Sequence, residues 1–358
     1  MSFAVILSVV SCLFAALLGF AAHRASICTV RAVSEVMSAR TGFMLVSIFK
    51  SALWVIALTL PFIWLAPATA SGISGWTLTG AAVLGGFTFG TGAALNGACA
   101  YSTMARLMDG EVRMVLSIGG FAVGILVFVL LVDSHWLMRP VRTPALIGTL
   151  AAWSYAVAAA LLAFMAYEIA RLWRHRAKDE GVMRIVCAKQ YRLSSAALLI
   201  GLSSSIIFLL IGSPGYTITM QNMVESAIGL RVAPPPERWV LLVAVLAGML
   251  ISTLERGSFR IDWRPRLGWL RNVAGGILMG LGTAMLPGGN DALILYGIPT
   301  LSPHALPSYL ALVIGAAAGL LAMKHVGGME IRVVCRNDIY LAEAQPKNSI
   351  LNSHAPRE

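Results

Sequence analysis

Apolar runs of about 20 residues recur along the whole chain, and this is the length that an α-helix needs to cross a bilayer. Of the 358 residues, 58% are hydrophobic and 12% are charged, whereas soluble domains carry about 25% charged residues. The strands of a membrane β-barrel alternate over only about 10 residues. The runs therefore predict an all-α, polytopic integral membrane protein.

The apolar pattern predicts nine spans and two shorter, more polar half-helices. The spans lie at about 3–22, 44–66, 78–105, 113–133, 145–172, 194–212, 238–254, 272–300 and 308–323, and the half-helices at about 23–38 and 214–230. Residues 3–22 have the hydrophobicity of a signal peptide, but no basic region precedes them, so we interpret them as the first span.

A glycine-rich stretch interrupts the third span. Five glycines fall between residues 85 and 97, directly before Cys99. Glycine costs about 1 kcal/mol against alanine inside a helix, but it permits unwinding and close backbone approach. We expect a broken membrane helix that presents Cys99 to a pathway.

Part of this glycine pattern returns 190 residues later. Gly85, Gly86, Gly90 and Gly92 match Gly275, Gly276, Gly280 and Gly282. Because the predicted topology runs the two stretches in opposite directions, they favour two inverted repeats whose broken helices meet at a central pathway. The alternative is a chance recurrence of small residues at helix interfaces.

The chain then divides into four parts. Residues 1–135 form the first repeat, 136–193 a linking transmembrane helix with a basic cytoplasmic loop, 194–325 the second repeat, and 326–358 a polar cytoplasmic tail without a domain of its own.

The distribution of positive charge predicts the orientation. Loops on the side of 171–192 hold 18 Lys and Arg residues, against 4 on the opposite side. Basic loops stay in the cytoplasm, so the N-terminus is expected outside and the C-terminus in the cytoplasm. Because the net charge of +11 is spread over these short loops, it argues against a nucleic-acid partner.

The cysteines do not form a recognisable ligand set. The five cysteines are odd in number and no pair has CxxC spacing, so we expect neither a disulfide framework nor a zinc site. We expect no other metal and no cofactor. Cys12 is interpreted as a small buried hydrophobe, and Cys187 and Cys335 as loop thiols without a role.

Three stretches together resemble the YeeE/YedE family of sulphur transporters. They are Arg24-x-x-x-Cys28 after the first helix, the glycine-rich stretch with NGACAYSTMARLMDG around Cys99, and FRIDWRPR before the second glycine-rich stretch. The resemblance covers about residues 1–325. It implies uptake of thiosulfate, or a related sulfur or selenium compound, across the bacterial inner membrane. It further implies a helical bundle whose half-helices meet at the waist of an hourglass-shaped pathway, with cysteines that handle the substrate. A cytosolic sulfur-carrier protein is the implied partner.

The resemblance also implies which residues line the pathway. Cys28 matches the cysteine after the first helix, and Cys99 matches the central one. The family's third cysteine falls where this chain reads Gly288-Gly289-Asn290-Asp291, so Gly289 occupies its position. This departure leaves the substrate open between a thiosulfate-like anion, another anion and a selenium compound.

Residue chemistry supports a thiol pathway without the family. A thiol is a weak donor and a soft acceptor, and a thiolate can attack a sulfane sulfur to form a persulfide. Arg24 lies about one helical turn from Cys28 and favours its thiolate. Asn96 and Tyr101 flank Cys99 and can hydrogen-bond an oxyanion.

Ionisable residues within apolar stretches each allow two interpretations. Asp291 either binds a proton or cation or caps the half-helix that follows it. Glu225 is a second candidate unless it faces water. Arg106 and Asp109 either serve function or pair across i, i+3 at a helix end.

The function predicted from these features is uptake of a small inorganic sulfur anion, without an enzymatic step. The alternative is a membrane thiol or persulfide relay that moves no solute. The chain contains no Walker-type nucleotide loop, so it supplies no ATPase of its own.

Overall fold

The computed structural model describes residues 3–65, 73–134, 139–144, 153–174, 188–212, 215–263, 268–328 and 331–344. The first half of the chain contains α1 (Phe3–Arg24), α2 (Thr29–Ala39), α3 (Phe43–Leu65), β1 (Ser74–Trp76), α4 (Gly80–Asn96), α5 (Ala100–Met108), α6 (Arg113–Asp133), β2 (Arg142–Pro144) and α7 (Trp153–Arg174). The second half contains α8 (Leu193–Ile211), α9 (Tyr216–Ala227), α10 (Pro236–Arg256), α11 (Trp269–Met285), α12 (Asn290–Ala292), a π-helical turn (Leu293–Gly297), α13 (Ala305–Gly327), β3 (Arg332–Arg336) and β4 (Ile339–Ala344).

The all-α, polytopic prediction is confirmed. Within the described ranges, seven helices are long and apolar enough to cross a membrane. Helices α4 and α11 have 17 residues each, which spans about 25 Å. They are the first arms of the two segments predicted to be broken.

Both predicted breaks are observed, and a glycine in the left-handed region lies in each. Helix α4 ends at Gly97, whose φ is 74°, and α5 starts after Cys99. The second break contains Gly288 with a φ of 112°, before α12 starts. Because a side chain with a Cβ is strained in this region, the sequence places each interruption at a residue that tolerates it.

The two predicted half-helices are also present, with shifted bounds. Helix α2 covers 29–39 rather than 23–38, because α1 continues to Arg24. Helix α9 covers 216–227. The span predicted from residue 145 is observed from Trp153, and residues 145–152 lie outside the described ranges.

Glycine faces let the central helices pack in backbone contact. A Cβ placed on Gly92 would lie 2.7 Å from the carbonyl oxygen of Gly275, and one on Gly282 would lie 2.6 Å from that of Gly85. Residue 85 thus meets 282 while 92 meets 275, so α4 and α11 run antiparallel. Each helix also packs a second glycine face on a neighbouring helix: Gly90 of α4 packs on α13, and Gly280 of α11 packs on α6.

The tail carries a β-hairpin that the sequence analysis did not predict. Strands β3 and β4 pair antiparallel around Asn337 and Asp338, which both have positive φ, as a type I′ turn requires. The expectation that Cys335 lies in a loop is wrong, since it is a buried residue of β3. Exposed and buried residues alternate along β3. The order of charged and apolar residues in that stretch was the sequence signal that could have indicated a strand.

The hairpin packs on α2 and on the start of α8. Ser34 and Ser38 of α2 donate hydrogen bonds to the carbonyl oxygens of Ile331 and Val333. Asp338 caps α8, because its carboxylate accepts from the Ser194 amide at 3.0 Å.

Two glycines of α6 test the importance of close packing. A Cβ on Gly124 would lie 2.0 Å from the carbonyl oxygen of Ile277, whereas one on Gly119 meets nothing within 4 Å. We expect Gly124→Ala to lower stability by about 1–3 kcal/mol because α6 and α11 must separate. Gly119→Ala is the matched control and should be neutral or stabilising by up to about 1 kcal/mol. Thermal unfolding of the detergent-purified protein measures both, and equal effects would contradict this account of the packing.

Candidate functional site

The half-helices α2, α5 and α12 begin beside one central cavity, and the start of α9 is bonded to a residue of its lining, Asp291. The residues that precede their first turns are Cys28 for α2, Cys99 for α5, Gly215 for α9 and Gly289 for α12. Backbone N–H groups at a helix start lack intrahelical partners and carry partial positive charge. Helix starts that converge in this way favour an anion without a full positive charge.

The two thiols predicted to line the pathway are brought together. The Cys99 amide donates to the Cys28 Sγ at 3.4 Å, and each cysteine is 1% exposed. The Cys28 side chain makes no capping hydrogen bond within its own helix. One sulfur atom therefore joins the starts of α2 and α5.

The central cavity has a volume of about 60 Å³, enough for several water molecules and of the scale of a small anion. Its walls are mostly apolar, with polar groups contributed by a few residues. The polar or sulfur-bearing lining residues are Cys28, Thr29, Ser51, Cys99, Tyr101, Asn290 and Asp291. Five of the residues singled out from the sequence therefore line one space.

Asp291 contacts a second half-helix besides the one predicted. Its carboxylate accepts from the Thr217 hydroxyl at 2.6 Å and from the Thr217 amide at 3.3 Å, so it caps α9. The Thr217 hydroxyl in turn accepts from the Gly289 amide at 2.8 Å. These three hydrogen bonds tie the starts of α9 and α12 together.

The glycine at the position of the family cysteine is closely packed. A Cβ on Gly289 would lie 2.7 Å from Thr217 Cγ2 and 3.1 Å from the Phe89 ring. The methyl group of Thr217 therefore occupies the space that a side chain at residue 289 would need.

Arg24 and Asn96 lie outside the lining of the central cavity, although both were predicted to belong to the pathway. Arg24 is buried and bonded to Glu255 and to Ser252. Asn96 donates to Thr103 at 2.8 Å and accepts from Asn272 at 2.8 Å. Their polar groups hold helices together, so neither side chain is free to bind an oxyanion.

Tyr101 is a third predicted site residue beside the two thiols. It lines the central cavity, and its ring lies 5.7 Å from that of Tyr216. In the described part of the chain, no hydrogen-bond partner lies within reach of the Tyr101 hydroxyl or of Asn290 Oδ1. Both atoms are left for a ligand or for water.

A polar cluster at the far end of α5 was missed from the sequence. The His23 ring is hydrogen-bonded to Ser252 through Nδ1 at 2.8 Å and to Asp109 through Nε2 at 3.1 Å. Asp109 also accepts from Ser258 at 2.8 Å and from Thr253 at 3.1 Å. The predicted i, i+3 pairing of Arg106 with Asp109 is wrong, because Arg106 pairs with Glu111 at 2.8 Å.

The pKa of Asp109 reflects this cluster. Burial by itself would raise the pKa of the carboxyl, but the contacts with His23, Ser258 and Thr253 outweigh it and lower the pKa below its usual value. The cluster therefore stabilises the carboxylate form. Sequence could not reveal it, since its members come from three distant segments.

Two further cavities adjoin the half-helices. One of about 110 Å³ is lined by Arg139, Arg142 and Arg231 with Gln221, Asn222 and Glu225 of α9. Glu225 is buried and paired with Arg231, so the alternative in which it faces water is not observed. Another, of about 640 Å³, is lined by Asp109, Glu111, Arg113, Arg260, Asp262 and Arg271, among others.

Cys12 and Cys335, the other two cysteines that the structure describes, are not part of the cavity lining. Cys12 is half-buried in α1, and Cys187 lies outside the described residues. Burial, together with the neighbouring carboxylate of Glu35, raises the pKa of the Cys335 thiol to about 12. That thiol is therefore protonated and unreactive at neutral pH.

Comparison with known proteins identifies a family. A family model described as sulphur transport matches residues 24–318, which is most of the chain. A comparison with curated proteins finds no match. The matched region includes α2, both breaks and every residue named above as lining the central cavity.

Replacing Asp109 tests the polar cluster. Because the pKa of Asp109 is lowered in the folded protein, its stabilisation is complete above the unfolded pKa of about 3.9 and is lost as pH falls through the folded pKa. We expect Asp109→Asn to cost about 1–2 kcal/mol at neutral pH. Asp133→Asn, at an exposed position, is the control. Thermal unfolding at neutral and acidic pH measures the difference in stability between the wild type and Asp109→Asn, which should become smaller below about pH 4. A difference that does not depend on pH would contradict the role of the carboxylate.

Proposed function

The chain belongs to the sulphur transport family, and from this premise we propose that it takes up a thiosulfate-like anion through the central cavity, past Cys28 and Cys99. Its helices and its family support a sulfur-compound transporter in a membrane. The anion passes intact, so the proposal includes no enzymatic step.

The observation that carries the proposal is the pair of thiols at two converging helix starts. Cys99 N–H to Cys28 Sγ is 3.4 Å, and both residues line the same cavity. A sulfane sulfur is soft and polarizable, and a thiol contacts it better than a hydroxyl does. The helix starts stabilise the charge of the anion while the thiols contact its sulfur.

The side cavities supply an approach and an exit. Helix α9 leads from Thr217, beside the central cavity, to the arginine-lined cavity of about 110 Å³. Helix α5 leads from Cys99 to Asp109, at the cavity of about 640 Å³. Each side cavity has three arginines, but the one of about 640 Å³ also has three acidic residues, whereas the one of about 110 Å³ has a single acidic residue, Glu225. A lining with excess positive charge raises the local concentration of anions, so we assign the cavity of about 110 Å³ to the entrance.

Reciprocal glycine contacts support the inverted repeat. Gly86 meets the Ser308 carbonyl oxygen at 2.2 Å, and its repeat partner Gly276 meets that of Ser117 at the same 2.2 Å, each distance measured from an ideal Cβ. A twofold relation between α4–α13 and α11–α6 would produce this pattern. The substrate site of such transporters lies where the repeats meet.

Orientation and location follow from the charge asymmetry. The loops rich in Lys and Arg support a cytoplasmic C-terminus and an outside N-terminus, in the inner membrane of a bacterium. A cytosolic sulfur-carrier protein that accepts the imported sulfur is the proposed partner.

Uptake of a dianion needs a source of energy. An inside-negative potential opposes it by about 2.3 kcal/mol per charge per 100 mV. A coupled cation, a steep gradient or consumption of the anion inside must supply this energy.

The rival function is a thiol or persulfide relay that moves no solute. The direct contact between the two cysteines favours it, since a relay needs neighbouring thiols. Labelled thiosulfate separates the two functions, because a transporter accumulates it in proteoliposomes and a relay changes only the reactivity of its thiols.

Removal of either thiol tests the proposed pathway. We expect Cys28→Ala and Cys99→Ala each to weaken uptake about tenfold or more, because a hydrogen bond to a charged ligand is worth about 1.5–3 kcal/mol. Cys12→Ala is the matched control and should transport normally. Initial rates of labelled thiosulfate uptake measure the effect, and uptake unchanged in both variants would sink the thiol pathway but leave the transporter.

Adding a thiol at residue 289 tests the consequence of its absence. We expect Gly289→Cys alone to be destabilised by contact with Thr217 Cγ2. Gly289→Cys combined with Thr217→Ser removes that methyl and keeps the hydroxyl bonded to Asp291. The double variant should fold as the wild type does and show an altered preference among sulfur and selenium anions. Uptake of a panel of these anions is the measurement, with Thr217→Ser alone as control; an unchanged preference would mean that residue 289 does not contact the substrate.

A further inference from the structure

The carboxylate of Asp291 lies where a dianion is proposed to pass. Asp291 is 5% exposed and lines the central cavity with Cys28 and Cys99. In the part of the chain that the structure describes, no Lys, Arg or His nitrogen forms an ion pair with it. Its burial is offset by two hydrogen bonds from Thr217 and by backbone amides of Asp291 and Ala292, none of which carries a full positive charge.

The groups that face Asp291 are neutral or acidic. They are Cys99 and Tyr101 from α5, Tyr216 and Thr217 from α9, and Cys28 from α2. A buried charge without a partner is costly, and no base among these groups can neutralise it. A second negative charge in the same small cavity makes that cost larger, because apolar walls screen charges poorly.

A neutral acceptor beside the carboxylate lacks a donor. Asn290 is 8% exposed and lines the same cavity, and its Oδ1 has no hydrogen-bond partner within the described ranges. A protonated carboxyl is a donor as well as an acceptor. The site thus contains an acceptor, Asn290 Oδ1, for the proton of a neutral Asp291, whereas the carboxylate form offers that acceptor no donor.

We propose that Asp291 takes up one proton from the entrance side when the anion enters the central cavity, and releases it on the other side, so that uptake is coupled to protons. This inference rests on the proposed transport function. The proton binds to a carboxylate oxygen and leaves from it, and no other bond changes. A dianion with one proton still carries one net negative charge inward, so uptake remains sensitive to the membrane potential.

A proton fits the site better than a metal cation. Sodium and other hard cations require several oxygen ligands, and the lining offers one carboxylate whose two oxygens already accept from Thr217. The remaining lining is dominated by apolar side chains and thiols.

Wild-type proteoliposomes give the first test. The full chain is reconstituted with a pH-sensitive dye in the lumen, and labelled thiosulfate uptake is followed with an inward proton gradient, an inward sodium gradient or neither. We expect the proton gradient alone to drive accumulation, and addition of thiosulfate to acidify the lumen. Accumulation driven by sodium, or accumulation without acidification, would overturn the proton coupling and leave the transport function standing.

Asp291→Asn gives the second test, because the amide imitates the neutral carboxyl at every pH. We expect loss of gradient-driven accumulation, and any counterflow of labelled for unlabelled thiosulfate that remains should be independent of pH. Asp133→Asn is the control with both activities. Gradient-driven accumulation by Asp291→Asn would overturn the proposal.

Thr217→Val covers the case in which Asp291→Asn does not fold. Removing the hydroxyl takes a hydrogen bond away from the carboxylate form, so the pH profile of uptake by Thr217→Val should lie at higher pH than that of the wild type. An unshifted profile counts against Asp291 as the proton site. Wild-type liposomes that show neither uptake nor counterflow would instead refute the proposed transport function.

Discussion

Backbone contact between α4 and α11 is the constraint on which the rest of the structure depends. The two helices approach so closely that a Cβ on Gly92 or Gly282 would lie under 3 Å from the carbonyl oxygen of the opposite glycine. Each helix also packs a second glycine face on a neighbour, α4 on α13 and α11 on α6. Because α4 leads directly into the Cys99 half-helix and α11 into Gly289, these contacts fix where the short helices start. In a bilayer, lipid tails are as apolar as the side chains of the helices, so burial of apolar surface does not drive the helices together. This close packing is therefore the main source of order.

Each thiol stands at the start of a short helix whose other end is held in place. The end of α5 is anchored by Asp109 in its cluster with His23, while the middle and end of α2 are anchored by Ser34 and Ser38 on the tail hairpin. Anchored helices hold their first residues at fixed positions. The contact between the Cys99 amide and the Cys28 sulfur is therefore a consequence of polar bonds made at the far ends.

The central cavity combines features that attract an anion with one that repels it. Converging helix starts favour negative charge, whereas the buried carboxylate of Asp291 opposes it. Thr217 contacts both Asp291 and Gly289. Its hydroxyl joins Asp291 to the Gly289 amide, and its methyl fills the space beside Gly289. The glycine at residue 289 and the acid at residue 291 are thus parts of one local arrangement.

The sequence by itself determined the class of protein, the two breaks and the residues around Cys99 and Asp291. Hydrophobic length and glycine spacing are local properties, and a broken membrane helix needs little else to be recognised. The tertiary structure alone decided that Arg24 and Asn96 serve packing, that Asp291 caps α9, and that His23 meets Asp109. These contacts join residues 74 to 231 positions apart in the chain, and no local pattern encodes which of several polar groups a buried donor or acceptor will meet. The tail hairpin was determined partly by each. The alternation of apolar residues in β3 and the Asn-Asp turn were visible in the sequence, whereas the packing of the hairpin on α2 was not.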